Sequence, residues 1–253
     1  MTDPPRHRET YRVRSYETDP LNRVTVRNLL LLLQEAATGH AAALDISVQS
    51  LISNGLAWVL TQLRLDMDRW PHGGDSVIVE TWPRAANRVI IDRRFLVMDD
   101  AGNELGRATT LWVVMDLERR RPVRLPEFIR ASIEPLLTGD RPEPTDPIPE
   151  VTSAELERHF EVRYSDLDMV HHVNNAASVQ WAVETTPDEL RQTRLPFEVE
   201  VRFLAECRYG DSARSISQQA DSSDSFIHSL YRRSDDAEIL RARSSWKAEA
   251  DGS

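Results

Sequence analysis

Cysteine is almost absent: Cys207 is the single one in 253 residues. No intrachain disulfide can form, a zinc site built on several thiolates is excluded, and a reducing compartment is compatible. Basic residues are the scarcer charge, 31 Lys and Arg against 41 Asp and Glu. The resulting net charge of −10 argues against a nucleic-acid surface and gives no support to adhesion on anionic membranes. Long apolar runs are missing as well, since the longest, Leu29 to Leu33, is far too short to span a bilayer. The opening residues MTDPPRHRETY are polar and Pro-rich, so they read as neither a secretory signal nor a clear transit peptide, and a cytoplasmic protein is expected.

What is present is enough apolar content for one large domain or two of ordinary size. Residues Tyr11 to Tyr16 alternate as a short strand does, and Asp19-Pro20 favours a turn. A helix follows from Thr25 or Val24 through Asn28 to Ala43, with only Gly39 against it. It is apolar nearly all round, which suits a helix wrapped by other elements. From Ala57 the pattern turns extended: AWVLTQLRLDM, DSVIVETWPR, RVIIDRRFLVMD and RATTLWVVMD read as an antiparallel meander. Ala131 to Glu150 then carries five prolines and many acids and reads as an extended linker after a short helix.

After the linker the order returns. Aligning Arg14 with Arg163 (163 − 14 = 149) also pairs Val13 with Val162, Asp19 with Asp168, Val24 with Val173 and Glu35 with Glu184. Gly74-Asp75-Ser76 matches Gly210-Asp211-Ser212 at 210 − 74 = 136. Glu104, Arg107, Ala108 and Trp112 match Glu238, Arg241, Ala242 and Trp246 at 238 − 104 = 134. Three blocks in one order indicate a duplicated α+β unit, a sheet curled around one long helix, twice. The spans are 1–130 for the first half, 131–153 for the linker and 154–253 for the second half.

The halves differ where chemistry is concentrated. Between Asp166 and Asn175 the second half holds Asp166, Asp168, His171, His172, Asn174 and Asn175, just before an apolar run closed by Pro187. The first half has Asn22, Arg23, Thr25 and Val26 in place of His171, His172, Asn174 and Asn175, and Trp70 in place of Glu206. Any catalysis therefore belongs to the second half. In the first half the Leu run, Trp58, Met67 and Trp70 suit either a pocket for an apolar ligand or ordinary core packing.

The run SDLDMVHHVNN before an apolar helix, with FLAEC some thirty residues on, resembles the acyl-acyl-carrier-protein thioesterases. The resemblance covers about Tyr11 to Trp246. It implies a tandem double hotdog, each half a long helix wrapped by an antiparallel sheet, and release of free fatty acid from acyl carrier protein without a cofactor. It places the family's motif Asp on Asp168, its His on His172, the first Asn of its terminal pair on Asn174 and its Glu on Glu206, beside Cys207. The family's Asn between Asp and His is Val170 here, and ECRYGDS is one residue longer than the family form.

An activated thioester needs a water, a base and donors for the oxyanion. The residues suit Glu206 as general base, His172 positioning the water or the carbonyl, Asp168 orienting His172 or the helix start, and backbone N–H groups near Val173 to Asn175 as the oxyanion site. Val170, Val173, Asn175, Trp58 and Trp70 are the expected substrate contacts. A rival assignment makes Cys207 the nucleophile with His172 as base. Period-two alternation in EVEVRFLAEC sends Cys207 to the apolar face and Glu206 to the charged one, so Glu206 needs a bulge or a strand end to face His172. Neighbouring His171 and His172 diverge and no second His cluster follows, so no metal is expected. Arg119-Arg120-Arg121 and Arg232-Arg233 are candidate contacts for an acidic carrier or solvated charge runs. On the same fold, acyl-coenzyme A hydrolysis, enoyl-thioester hydration and non-catalytic acyl binding stay open, as does a homodimer.

Overall fold

The long helix starts where a side chain can cap it. In the computed structural model, which describes residues 6–248, Thr25 precedes α1 (Val26–Ala43) and its hydroxyl accepts from Asn28 N. Leu29, Leu30, Leu33 and Ala36 form its buried stripe. Gly39, the weakest helix former in α1, faces the Glu9 carboxylate on β1 (His7–Arg12), which a Cβ there would displace. A short α2 (Val48–Ser53) follows. Then come β2 (Leu56–Met67), β3 (Ser76–Ala86), β4 (Ile90–Met98), β5 (Glu104–Asp116), the three-residue β6 (Arg121–Val123) and α3 (Glu127–Ile133). The second half runs β7 (Leu156–Glu161), α4 (Asn175–Glu184), α5 (Asp188–Thr193), β8 (Arg194–Phe203), β9 (Ser212–Gln219), β10 (Ser225–Arg232) and β11 (Ala237–Ala248).

All strands join one antiparallel sheet in the order β1-β3-β4-β5-β2-β8-β11-β10-β9-β7, with β6 on β5. The meander expected from sequence is β3-β4-β5; β2 pairs with β5 rather than β3 and meets β8 of the other half, Leu63 opposite Val201. The sheet is thus continuous across the two halves, and α1 and α4 lie together against it, where Arg27 N donates to Gln180 Oε1. One apolar cluster, including Leu33, Phe95, Ala177, Val199 and Leu240, spans both halves. A second, with Ile46, Leu51, Ile91, Val114 and Ile129, belongs to the first half alone.

The Pro-rich connection has no helix or strand from residue 137 to 155, as its composition implies. It is nonetheless held across the sheet face opposite the helices. Glu143 pairs with Arg84 and Arg94, Gln62 Oε1 accepts from Thr145 N at 3.0 Å, Arg202 donates to Thr145 O at 2.7 Å, and Ile148 is buried. Among the described residues no helix is long and apolar enough to cross a membrane. Residues 1–5 and 249–253, the outer ends of the two expected halves and the start of the opening segment, lie outside the described residues.

Candidate active site

The loop before α4 is a backbone construction made by Asp168. Its Oδ1 accepts from Val170 N at 2.9 Å and His172 N at 3.1 Å, and its own N–H donates to His172 O at 2.8 Å. His171 takes φ 62°, the left-handed conformation that closes the turn. The first half repeats this atom for atom: Asp19 Oδ1 accepts from Leu21 N and Arg23 N, and Asn22 takes φ 64°. Asp168 therefore orients His172 through its main chain, and the duplicate loop shows that the same carboxylate builds the turn where no histidine follows.

The sheet supplies the second component. β8 ends at Phe203, and Leu204 N and Ala205 N both donate to Ile239 O, so one carbonyl serves two residues and the alternation is reset. Glu206 thereby turns towards the loop while Cys207 stays buried. Val173 N donates to Cys207 O at 2.8 Å, and His172 forms a bridge with Arg208, fixing the loop against this strand end. The duplicate bridge in the first half joins Arg23 and His72.

The result brings His172 Nε2 to 2.9 Å from Glu206 Oε2. Both side chains are about 30% exposed, enough for water to reach them (31% and 30%). Glu206 Oε1 accepts from Arg208 at 2.8 Å and from Arg120, which comes from the turn between β5 and β6 of the first half. Arg232 donates to the Glu206 main-chain oxygen, and Arg208 Nη2 lies 3.3 Å from His172 Nε2. Burial raises the Glu206 pKa, but the Arg120 hydrogen bond and the charges of His172, Arg208 and Arg120 outweigh it, and the carboxyl is held below its ordinary value. A carboxylate at Oε2 calls for a proton on His172 Nε2, since two lone pairs at 2.9 Å repel.

The helix start contributes one donor. Val173 N is engaged by Cys207 O and Asn174 N by Asp166 O, which leaves Asn175 N–H, at the first position of α4, without a partner among the described residues. Of the N–H groups from Val173 to Asn175, where an oxyanion donor is expected, that of Asn175 is the one not engaged by the described residues. Asn174 itself caps α4, its Oδ1 accepting from Ala176 N at 2.8 Å.

The remaining expected residues separate. Val170 lies half-buried in the Asp168 turn with its N–H engaged, so its backbone serves the loop rather than a substrate. Cys207 is 3% exposed and faces Asp211, Sγ to Oδ2 3.6 Å, not His172. Burial first and the Asp211 charge second push its thiol up to about 11, which disfavours the thiolate a nucleophile needs. Trp58 joins the second apolar cluster, on the end of β2 that pairs with β5 near Asp116, four residues before Arg120. Trp70 is not brought to the site: it follows the opposite end of β2 and donates to Pro196 O, near the start of β8. There, with Arg23 donating to the carbonyls of Arg191 and Arg194, it plugs the duplicate position and ties the halves together. Among the described residues no three His, Cys, Asp or Glu side chains cluster as a metal site requires.

Arg120, Arg208 and Arg232 are the neighbours of Glu206 that sequence reasoning missed. Two of them lay in runs readable only as basic patches, and nothing local to residues 119–121 points at Glu206.

Comparison with known proteins bears on the whole chain. It is 27% identical to the chloroplastic palmitoyl-acyl carrier protein thioesterase of Cuphea hookeriana, over 95% of this chain and 62% of that one. The chain therefore spans about three fifths of the length of such plant relatives. The solved 12:0-ACP thioesterase from Umbellularia californica superposes with a TM-score of 0.84 at 27% identity, covering 95% of this chain and 96% of that one. A crystal structure from Lactobacillus plantarum reaches 0.87 at 26% identity over 98% of both chains. The profile of the acyl-ACP thioesterase N-terminal domain matches residues 4–133 and that of the C-terminal domain residues 150–248. With both domain profiles matched in tandem on a double hotdog, the chain belongs to the acyl-ACP thioesterase family.

Proposed function

We propose that this chain hydrolyses fatty acyl thioesters carried on acyl carrier protein, with the chemistry in the second half. The observation that carries the reading is the 2.9 Å contact of His172 Nε2 with Glu206 Oε2, made by the loop that leads three residues later into α4. Glu206 takes a proton from a water, and the oxygen attacks the thioester carbonyl carbon. Negative charge gathers on the carbonyl oxygen, facing Asn175 N–H and the positive end of the helix. The C–S bond then breaks, and the thiolate leaves with the proton held between Glu206 and His172. Water plus thioester thus becomes acid plus thiol. His172 holds the carboxylate in place through its Nε2 proton, and Asp168 holds His172 through the loop backbone. A general base contributes about 10²–10⁴ in rate and one aimed donor roughly 2.7–4 kcal/mol, which suits an ester already activated by sulfur.

The acyl chain is assigned to the first half. Its second apolar cluster, with Trp58 at one edge, lies under the end of the sheet from which Arg120 reaches Glu206. Elsewhere buried polar groups intervene: Arg93 with His40 and Thr81 in the rest of the first half, and in the second half Thr185 with Ser215, and His228 with Ser244, which also accepts from Trp246. Such paired groups resist displacement by methylenes. The division into a chain-binding half (1–130), a connector (131–153) and a catalytic half (154–253) belongs to this proposal. So do a cytoplasmic location, although the plant relatives named above are chloroplastic, and a homodimer, read by sedimentation equilibrium.

The test is release of free thiol from C8 to C18 acyl groups on carrier protein and on coenzyme A. Faster turnover of carrier-bound chains is expected. Preference for coenzyme A reassigns the carrier, and binding without cleavage makes the protein an acyl binder.

A further inference from the structure

We infer that Arg120 is a positioning residue of the active site: the first half completes the second half's catalytic pair by holding the Glu206 carboxylate through a guanidinium delivered on the β5–β6 turn. The inference rests on the proposed role of Glu206. It adds that neither half of the duplicated chain carries a complete site.

The turn is built to send this side chain outward. Asp116 Oδ1 accepts from Glu118 N at 3.0 Å and Arg119 N at 2.8 Å, and Asp116 O accepts from Arg120 N at 2.8 Å. Arg120 itself takes φ 52°, a conformation few residues with a Cβ adopt. Residues in such regions persist where the surroundings hold them, and they gather at functional sites. The Leu117 N–H donates to Gly55 O at 2.9 Å, tying the turn to the start of β2. From there Arg120 reaches Glu206 Oε1, a residue 86 positions away in the other half.

The groups facing Glu206 come from four elements. His172 approaches Oε2 from the loop before α4; Arg208 approaches Oε1 from its own strand end; Arg120 approaches Oε1 from the first half; Arg232, at the end of β10, holds the main-chain oxygen. With Oε1 occupied by two guanidinium groups, the carboxylate cannot rotate, and Oε2 is left to face His172 and the incoming water. Arg208 alone cannot do this, because its Nη2 is shared between Oε1 and the neighbourhood of His172 Nε2. A fixed carboxylate also stays ionised to lower pH, since both arginines favour the charged form. The first half's counterpart of Glu206 is Trp70, whose indole donates to Pro196 O, so among the described residues no carboxylate stands at the duplicate position to make a reciprocal contact.

The experiment compares pH profiles of kcat/KM for the full chain as wild type, Arg120→Gln, Arg120→Lys, Arg119→Gln and Glu206→Gln on one carrier-bound substrate. For Arg120→Gln the expected result is a fall in kcat of about three- to tenfold, discounted for the exposure of Arg120, and an acid limb displaced to higher pH. Arg120→Lys restores part of both, and Arg119→Gln, its exposed neighbour, leaves the acid limb where it stands in wild type. An acid limb unmoved in Arg120→Gln overturns the inference, whether kcat is kept or falls only with thermal stability. A rise in kcat also overturns it, because Arg120 is then a restraint. If Glu206→Gln is as active as wild type, the role of Glu206 has failed instead, and the two failures are told apart.

Discussion

Replacing the two duplicated aspartates separates stability from catalysis. Asp168→Ala removes a carboxylate that accepts from Val170 N and His172 N, and the loop it shapes carries His172. Asp19→Ala removes the same two backbone contacts, to Leu21 N and Arg23 N. It also strips the partner of Arg23, whose Nη2 lies 2.6 Å from Asp19 Oδ2 and which is only 5% exposed. Hydrogen bonds to a charged group are worth about 1.5–3 kcal/mol each, and the half-exposed Asp168 sits at the low end, so its loss costs about 2–3 kcal/mol. Leaving a buried charge uncompensated costs about 3–5 kcal/mol, so Asp19→Ala is the more damaging to the fold. At roughly 2–4 °C per kcal/mol for a chain of this size, Asp168→Ala lowers Tm by about 5–10 °C and Asp19→Ala by about 10–15 °C. Activity runs the other way. Asp168→Ala loses about 10²-fold in kcat as His172 drifts from Glu206, whereas Asp19→Ala keeps its rate per folded molecule to about twofold, being remote from the pair. Differential scanning calorimetry and thiol release, both run below the lower Tm, read the two effects. Equal loss of activity in both variants, or full activity in Asp168→Ala, refutes the reasoning.

Three further outcomes are expected. Burial holds His228 neutral, its pKa down to about 3, while the unfolded chain titrates near 6.5. Between those values the unfolded state takes a proton the folded state refuses. Stability therefore falls as pH drops through that window, by up to about 1.4 kcal/mol per pH unit, and His228→Asn removes that share of the slope in urea titrations. Cys207, buried and with its thiol pushed up to about 11, stays unlabelled by iodoacetamide at about pH 8 and takes one equivalent in guanidinium; rapid native labelling contradicts its placement. Ile148→Ala, in the connection between halves, costs about 2–5 kcal/mol in urea unfolding, and no change in midpoint means the strap is not packed.

The duplication was legible because both halves keep the residues their folds require. Asp19 and Asp168 build one turn, and the Trp112 and Trp246 indoles donate to Thr110 and Ser244 at matched positions. Cys207 is buried, as alternation implies, although Ala205 on the same expected face is exposed. The facing of Glu206 does not follow from it, because alternation assumes a strand that continues, and β8 ends three residues earlier with two N–H groups on one carbonyl. Trp70 is hard to place from sequence for a related reason: composition marks a large apolar side chain, but only the pairing of β2 with β8 reveals that it sits by Pro196, away from Glu206. Arg120 was invisible, since it reaches the site through a positive-φ turn and a sheet joined across the halves, neither of which leaves a local pattern.

The proposed mechanism needs Glu206, and not Cys207, as the group that activates water. Thiol release from one carrier-bound acyl thioester, with Glu206→Gln and Cys207→Ala side by side, reads this. Glu206→Gln is expected to lose about 10²–10⁴ in kcat with its Tm and KM kept, while Cys207→Ala turns over like wild type. An inactive, folded Cys207→Ala beside an active Glu206→Gln contradicts it.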